Sequence, residues 1–260
     1  MKLHVHEWGA DASPPLLCLH GITSWGGRFG RLATLRLTAF RVYAPDLRGH
    51  GLSTWEPPWD LDSHVADLVE TLDDLGVERL SVLGHSFGGR LALELAARHP
   101  DRVETLVLLD PAVWVPPHIA LERAEERCAD ESYTTVGEAI ERRLAENPHA
   151  AREVVAAELR QHLRPGDDGR YRARWARAAV IAAYGEMSKP PPFDHIRARN
   201  LIVRGLESEV TPEAVADACR HSIASEVTVV PGGHNVMWDA FDATAEAILA
   251  FVSENPRAEG

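Results

Sequence analysis

Short apolar runs alternate with longer amphipathic stretches along most of this chain. The runs occupy residues 15–19, 40–44, 80–83, 103–109, 201–203 and 227–230. None shows the strict apolar–polar alternation of a strand with one wet face, so each predicts a strand covered on both sides. Between them, Val65, Leu68, Val69, Leu72 and Leu75 recur at three- and four-residue steps, which predicts a helix over 61–75. Shorter helices are expected over 91–97 and 211–219, the latter opened by Thr211-Pro212 as cap and first-turn residue. A closing helix is expected over 240–252, and one alternating, edge-proximal strand over 3–8. Strand–helix alternation of this kind predicts an α/β fold, a mostly parallel sheet with helices on both faces.

The alternation breaks between Val113 and Pro192. That stretch is charged and helix-rich, with candidates over 121–128, 136–144 and 152–163, and prolines punctuate both ends. It reads as a helical cap, 113–192, inserted into a core made of 1–112 and 193–260.

Composition narrows the function. The chain has 260 residues, and a net charge of −12 makes phosphate backbones and anionic lipid poor partners. Cys18, Cys128 and Cys219 are too few and too scattered for a disulfide framework or a metal-ligand spacing. The first residues lack the apolar core of a signal peptide, and no run approaches the ~18 apolar residues of a membrane span. The expectation is a cytoplasmic enzyme with a small-molecule substrate, no nucleic-acid or membrane partner and no cofactor. Its oligomeric state is not legible.

Candidate chemistry sits at the ends of the apolar runs. Gly84-His85-Ser86-Phe87-Gly88 follows one run directly and opens a helical pattern. The G-x-S-x-G pattern alone is weak, but strand–turn–helix is the context that a nucleophile elbow needs. Ser86 is the candidate nucleophile. Acyl hydrolysis turns a carbonyl oxygen into an oxyanion, for which two backbone N–H groups must already be aimed. Phe87, just after the serine, offers one, and Ile22, in the His20-Gly21-Ile22 turn, offers the other. His20 itself reads as a structural tie. Pro231-Gly232-Gly233-His234 follows the last run, placing His234 where an imidazole could take the serine proton. His4 and His6 share a strand face, but no third ligand follows at metal spacing, so no metal site is expected.

In this order, His20-Gly21, Asp46-Leu47-Arg48-Gly49-His50-Gly51, Gly84-His85-Ser86-Phe87-Gly88-Gly89, Leu109-Asp110-Pro111 and Gly232-Gly233-His234 resemble the α/β-hydrolase superfamily. More narrowly, they are similar to its capped esterase, lactonase and carbon–carbon hydrolase branch. The resemblance covers nearly the whole chain, least securely at 113–192. It implies an eight-stranded, mostly parallel sheet with a lid inserted after the sixth strand, and it makes Gly49-His50-Gly51 a packed turn rather than a phosphate cradle. It also exposes a departure. The family usually carries its triad acid three residues past a glycine after the seventh strand, and here that position is Ser208. Asp110, Glu209 and Glu207 are the alternatives. Asp110 is favoured, because it ends a buried strand and a minority of the superfamily carries its acid there.

A serine nucleophile argues against epoxide and haloalkane chemistry and leaves esters, lactones, thioesters, perhydrolysis and carbon–carbon cleavage. Trp25, Trp114, His118, Tyr133, Trp175 and Tyr184 suggest a partly aromatic pocket. No basic pair stands out as a phosphate or carboxylate clamp, although Arg28 and Arg90 are near enough to consider. The competing reading is a receptor-like member of the fold that binds a ligand without turning it over.

Overall fold

Each apolar run becomes a strand, and the side chains on alternate positions bury against opposite helical layers. In the computed structural model, which describes residues 2–253, the strands are β1 (Val5–Trp8), β2 (Pro15–Leu19), β3 (Arg41–Pro45), β4 (Leu80–His85), β5 (Val103–Leu109), β6 (Leu163–Pro165), β7 (Tyr171–Ala173), β8 (Arg199–Gly205) and β9 (Glu226–Val230). The helices are α1 (Gly30–Leu35), α2 (Leu61–Asp74), α3 (Phe87–Arg98), α4 (Pro117–Glu126), α5 (Val136–Glu146), α6 (Arg152–His162), α7 (Arg177–Met187), α8 (Glu213–Ile223), α9 (Val236–Asp239) and α10 (Phe241–Ser253).

The main sheet runs β1-β3-β2-β4-β5-β8-β9. β1 is antiparallel to β3, and every other pairing is parallel. Leu17 and Leu19 of β2 and Leu106 and Leu108 of β5 face a layer containing α2, α3 and α8. Their neighbours Leu16, Cys18, Val107 and Leu109 face the layer containing α1 and α10. This two-sided burial explains why none of the six apolar runs alternated in polarity.

The sheet has seven strands among the described residues, not the eight implied by the resemblance. Ahead of β1 the backbone is committed elsewhere: Leu3 N–H donates to Thr71 Oγ1 and His4 N–H to Ser53 Oγ. The helical stretch accordingly leaves the sheet after β5, its fifth strand in chain order.

Between β5 and β8, α4 packs on α7 and α5 on α6. Tyr133, Ile140, Val155 and Leu159 make a small apolar cluster that takes in Trp238 of α9. Arg90 of α3 ties the ends of the stretch to the core, donating to the carbonyls of Val113, Lys189 and Pro190 while paired with Glu94 at 2.9 Å. α7 and the β6–β7 ribbon were not foreseen. The α7 sequence is apolar on nearly every side and so carries no stripe, and the ribbon strands are three residues each. The cap of α8 also differs from expectation. Pro212 stands at the N-cap, and Thr211 Oγ1 instead donates to Pro111 O across the sheet edge.

Candidate active site

The C-terminal ends of β2, β4, β5, β8 and β9 lie along one edge, so the residues that follow them converge. Ser86 comes first after β4 and caps α3 with φ +55° and ψ −119°, a conformation L-residues rarely adopt. Holding it there costs on the order of 1–3 kcal/mol, which the packing around it must offset. The flanking glycines make the turn fit. A Cβ on Gly84 would sit 2.3 Å from Gly88 O, and one on Gly88 would sit 2.1 Å from Leu19 O. The N-terminus of α3 thus carries the hydroxyl at its positive end, where developing negative charge is favoured.

The loop after β2 abuts the serine, since a Cβ on Gly21 would lie 3.2 Å from Ser86 Cβ. Two buried histidines hold this loop. His20 Nδ1 donates to Gly21 O (2.8 Å) while its Nε2 accepts from Leu47 N–H (3.0 Å). His50 Nε2 stands in hydrogen-bonding position 2.7 Å from Ile22 O. Burial is the main reason both have pKa values below the usual imidazole range, so they serve as neutral ties. Gly51 takes φ +54° where a Cβ would strike the Asp46 carboxylate, consistent with a packed turn. Asp46 is the third group near His4 and His6 that the spacing had lacked. Its oxygens accept from the N–H groups of Gly26 and Leu52 and pair with His6, which accounts for its burial and for a pKa of about 2.

Asp110 follows β5, is fully buried and takes φ +40°. Its Oδ2 accepts from His234 Nδ1 at 2.6 Å and from Ser208 Oγ at 2.5 Å, and its Oδ1 accepts from Gly205 N–H at 3.1 Å. Ser208, standing where the family's acid is usual, is therefore a hydrogen-bond donor to the carboxylate that reaches the imidazole. Glu207 is exposed and bonded to His149 (2.9 Å), away from His234. Glu209 is exposed at the rim of the cavity.

The His234 side chain, 30% exposed against 0% for Asp110, looks into that cavity. Its loop is pinned twice: Gly233 N–H donates to Asp239 Oδ2 (2.9 Å), and His85 Nε2 lies 3.1 Å from His234 O. Burial, and then the neighbouring His234, hold His85 well below the usual imidazole range. His85 is therefore a neutral donor to the loop.

The cavity measures about 610 Å³ and contains Ser86, His234, Gly21 and Ile22. Trp114, Tyr133, Trp175 and Tyr184 line it. Trp25 does not. It lies behind His162, stacked at 5.6 Å, and faces a neighbouring cavity of about 350 Å³. His118 is exposed at the start of α4, and its neighbour Ile119 reaches the cavity instead, a one-residue error in helical phase. Of the two arginines singled out, Arg28 lines the cavity and Arg90 is fully used in tying the inserted stretch. Nothing in the residue pattern marked Arg143, Glu158 and His162, which α5 and α6 bring into the cavity wall.

These features coincide with a known architecture. Residues 14–241 match the profile of the alpha/beta hydrolase fold, and the chain belongs to that family. The lipase LipV of Mycobacterium tuberculosis is 35% identical over 218 residues, 84% of this chain and 82% of the relative. Esterase YbfF of Escherichia coli is 26% identical, over 98% of this chain and all of the relative. Among solved structures, an E-2-(acetamidomethylene)succinate hydrolase superposes with a TM-score of 0.86 at 26% identity, covering 96% of this chain and 95% of the other. No helix of the described residues is long and apolar enough to cross a membrane.

Proposed function

We propose that the chain is a serine hydrolase of esters, lactones or related acyl substrates, working through an acyl-enzyme on Ser86. The lipase and esterase among its relatives support ester hydrolysis as the reaction class. The observation that carries the assignment of roles is the 2.6 Å contact between His234 Nδ1 and the fully buried carboxylate of Asp110. That contact fixes the proton on Nδ1 and leaves Nε2 as the base.

In this reading, His234 Nε2 takes the Ser86 proton as Oγ attacks the substrate carbonyl carbon. The carbonyl oxygen becomes negative and is held by the N–H groups of Ile22 and Phe87. Collapse breaks the bond to the leaving alcohol, which takes the proton from His234. Water, deprotonated by the same imidazole, then releases the acid and frees Ser86. Asp110 holds the ring in this tautomer through Nδ1 and stabilises the imidazolium that forms. Residues 113–192 act as the lid over this centre. The three free cysteines favour a cytoplasmic site of action. The receptor-like alternative drew its weight from a serine at the usual acid position, and Asp110 beside His234 supports the hydrolase reading over it.

The test is labelling by a fluorophosphonate together with kinetics of Ser86→Ala. Labelling of the wild type at Ser86, and a loss of roughly 10⁴–10⁶ in kcat on replacement, are expected. An unlabelled wild-type protein, or near-normal turnover by Ser86→Ala, contradicts the proposal.

A further inference from the structure

One wall of the cavity has polar groups that neither the ester chemistry nor the folding of the chain uses. Arg28 stands on the short 3-10 turn Gly26–Phe29, and its side chain is 7% exposed. One guanidinium nitrogen donates to Asn235 Oδ1 at 2.6 Å, and the group stacks 4.5 Å from the Trp238 ring. Arg28 Nε has no acceptor. The carboxylate beside it, Glu158, makes an ion pair with Nε at 3.8 Å, too long for a hydrogen bond, and its other oxygen accepts from the Trp238 indole at 2.7 Å. Ser24 Oγ and both ring nitrogens of His162 are likewise buried with no partner. All three residues line the cavity that contains Ser86 and His234. Buried donors are ordinarily satisfied, and each one left bare costs about as much as a lost hydrogen bond.

We propose that Ser24, Arg28 and His162 form a subsite for a carboxylate on the part of the substrate away from the scissile bond. This rests on the ester-hydrolase reading of Ser86. A carboxylate presents four lone-pair sites and no donor, the complement of a guanidinium N–H, a hydroxyl and an imidazole N–H. Arg28 and Arg143 both line this wall beside Glu158. Asp239 also acts on Arg28 but already accepts from Gly233 N–H, and the partner of Arg143, Glu146, lies outside the cavity. Burial keeps His162 neutral, with a pKa pushed down to about 3, so it offers one N–H and adds no charge of its own. An alkyl chain at the same place would leave every one of these groups bare. Asn235, which holds Arg28, is next in sequence to His234, so the subsite adjoins the reacting centre.

The experiment compares charged and neutral esters of equal length. Monoethyl succinate, glutarate and adipate are set against ethyl butanoate, pentanoate and hexanoate, with the charge on the acyl side. 4-Acetoxybutanoate against butyl acetate places it on the alcohol side. Rates are followed by pH-stat. At least one pair should favour the anion tenfold or more in kcat/KM, and that ratio should fall at least tenfold in Arg28→Met. Ser24→Ala and His162→Phe, which keeps the stack on Trp25, should each lower it several-fold and serve if Arg28→Met does not fold. Turnover with no preference in any pair, or a preference untouched by all three substitutions, overturns the subsite and leaves the hydrolase standing. Binding to Ser86→Ala, measured by calorimetry with monoethyl glutarate against ethyl pentanoate, separates the two readings. Tighter binding of the anion with no turnover by the wild type of any ester would retain the subsite and remove the hydrolase.

Discussion

Asp110→Asn is the substitution whose outcome follows most directly from the geometry. The carboxylate accepts on both oxygens: Gly205 N–H at Oδ1, and His234 Nδ1 and Ser208 Oγ at Oδ2. An amide has only one acceptor oxygen. If its oxygen takes the Oδ2 place, its NH₂ meets Gly205 N–H donor to donor. If its oxygen faces Gly205, the NH₂ faces His234, and the imidazole must accept on Nδ1 and carry its proton on Nε2. The second arrangement removes the base, because Nε2 must be free to take the Ser86 proton. Either way a buried hydrogen bond is lost, about 1–3 kcal/mol, which in a chain of this size lowers Tm by several degrees. The catalytic loss should be far larger, on the order of 10³–10⁴ in kcat, the scale of the wrong tautomer in other triads. That corresponds to about 4–5.5 kcal/mol of barrier. Glu207→Gln and Glu209→Gln, both at exposed positions, should each cost less than about tenfold. Ester hydrolysis by the three variants, with folding checked by circular dichroism and Tm, decides the matter. Asp110→Asn retaining a tenth or more of wild-type kcat, or Glu209→Gln abolishing turnover, would refute the assignment.

Other outcomes follow from the same structure. His64 and His162 are buried, and burial pushes both pKa values down to about 3. Unfolding returns them to about 6.5, so they stay neutral in the native state while the unfolded chain gains protons below pH 6.5. Stability is therefore full above that pH and falls as acid is added, on the order of 2 kcal/mol for each histidine between pH 7 and 5. Urea midpoints that do not change over that range would contradict this. Arg90→Met removes the donor to Glu94 Oε1 and to three carbonyls, while Arg98 still pairs with Glu94 Oε2, and should destabilise by about 3–5 kcal/mol, read as a drop in the denaturant midpoint. An unchanged midpoint would show that the inserted stretch is held by other contacts. Trp114 is 44% exposed at the cavity, with its indole donating to Ser188 O. Trp114→Ala should change the ratio of short-chain to long-chain ester turnover more than it changes Tm. Equal losses on all chain lengths, tracking Tm, would mean that the residue only packs.

The sequence by itself determined the layered fold and marked out the two candidate reacting side chains. Strands buried on both faces must be apolar without alternation, so β2, β4, β5, β8 and β9 were legible as runs. An elbow admits only glycine at Gly84 and Gly88, because backbone oxygens occupy the space a side chain would need. Local rules of that kind leave their mark in residue type. What the tertiary structure decided were relations between segments distant in the chain. Asp110 and His234 are 124 residues apart, and only the parallel order of β5, β8 and β9 brings them together while carrying Glu207 outward to His149. Ser208 looked like a missing acid and is a donor to the carboxylate, a role visible only once β8 lies beside β5. The polar wall of Arg28, Glu158 and His162 left no trace in sequence. Each is a polar residue of the kind that usually faces water, and the folding of α6 over the sheet edge brings all three to the wall of one cavity. The exchange of His118 for Ile119 has the same origin. Periodicity fixes a helix's apolar face, but the direction from which the substrate cavity approaches it is set by packing.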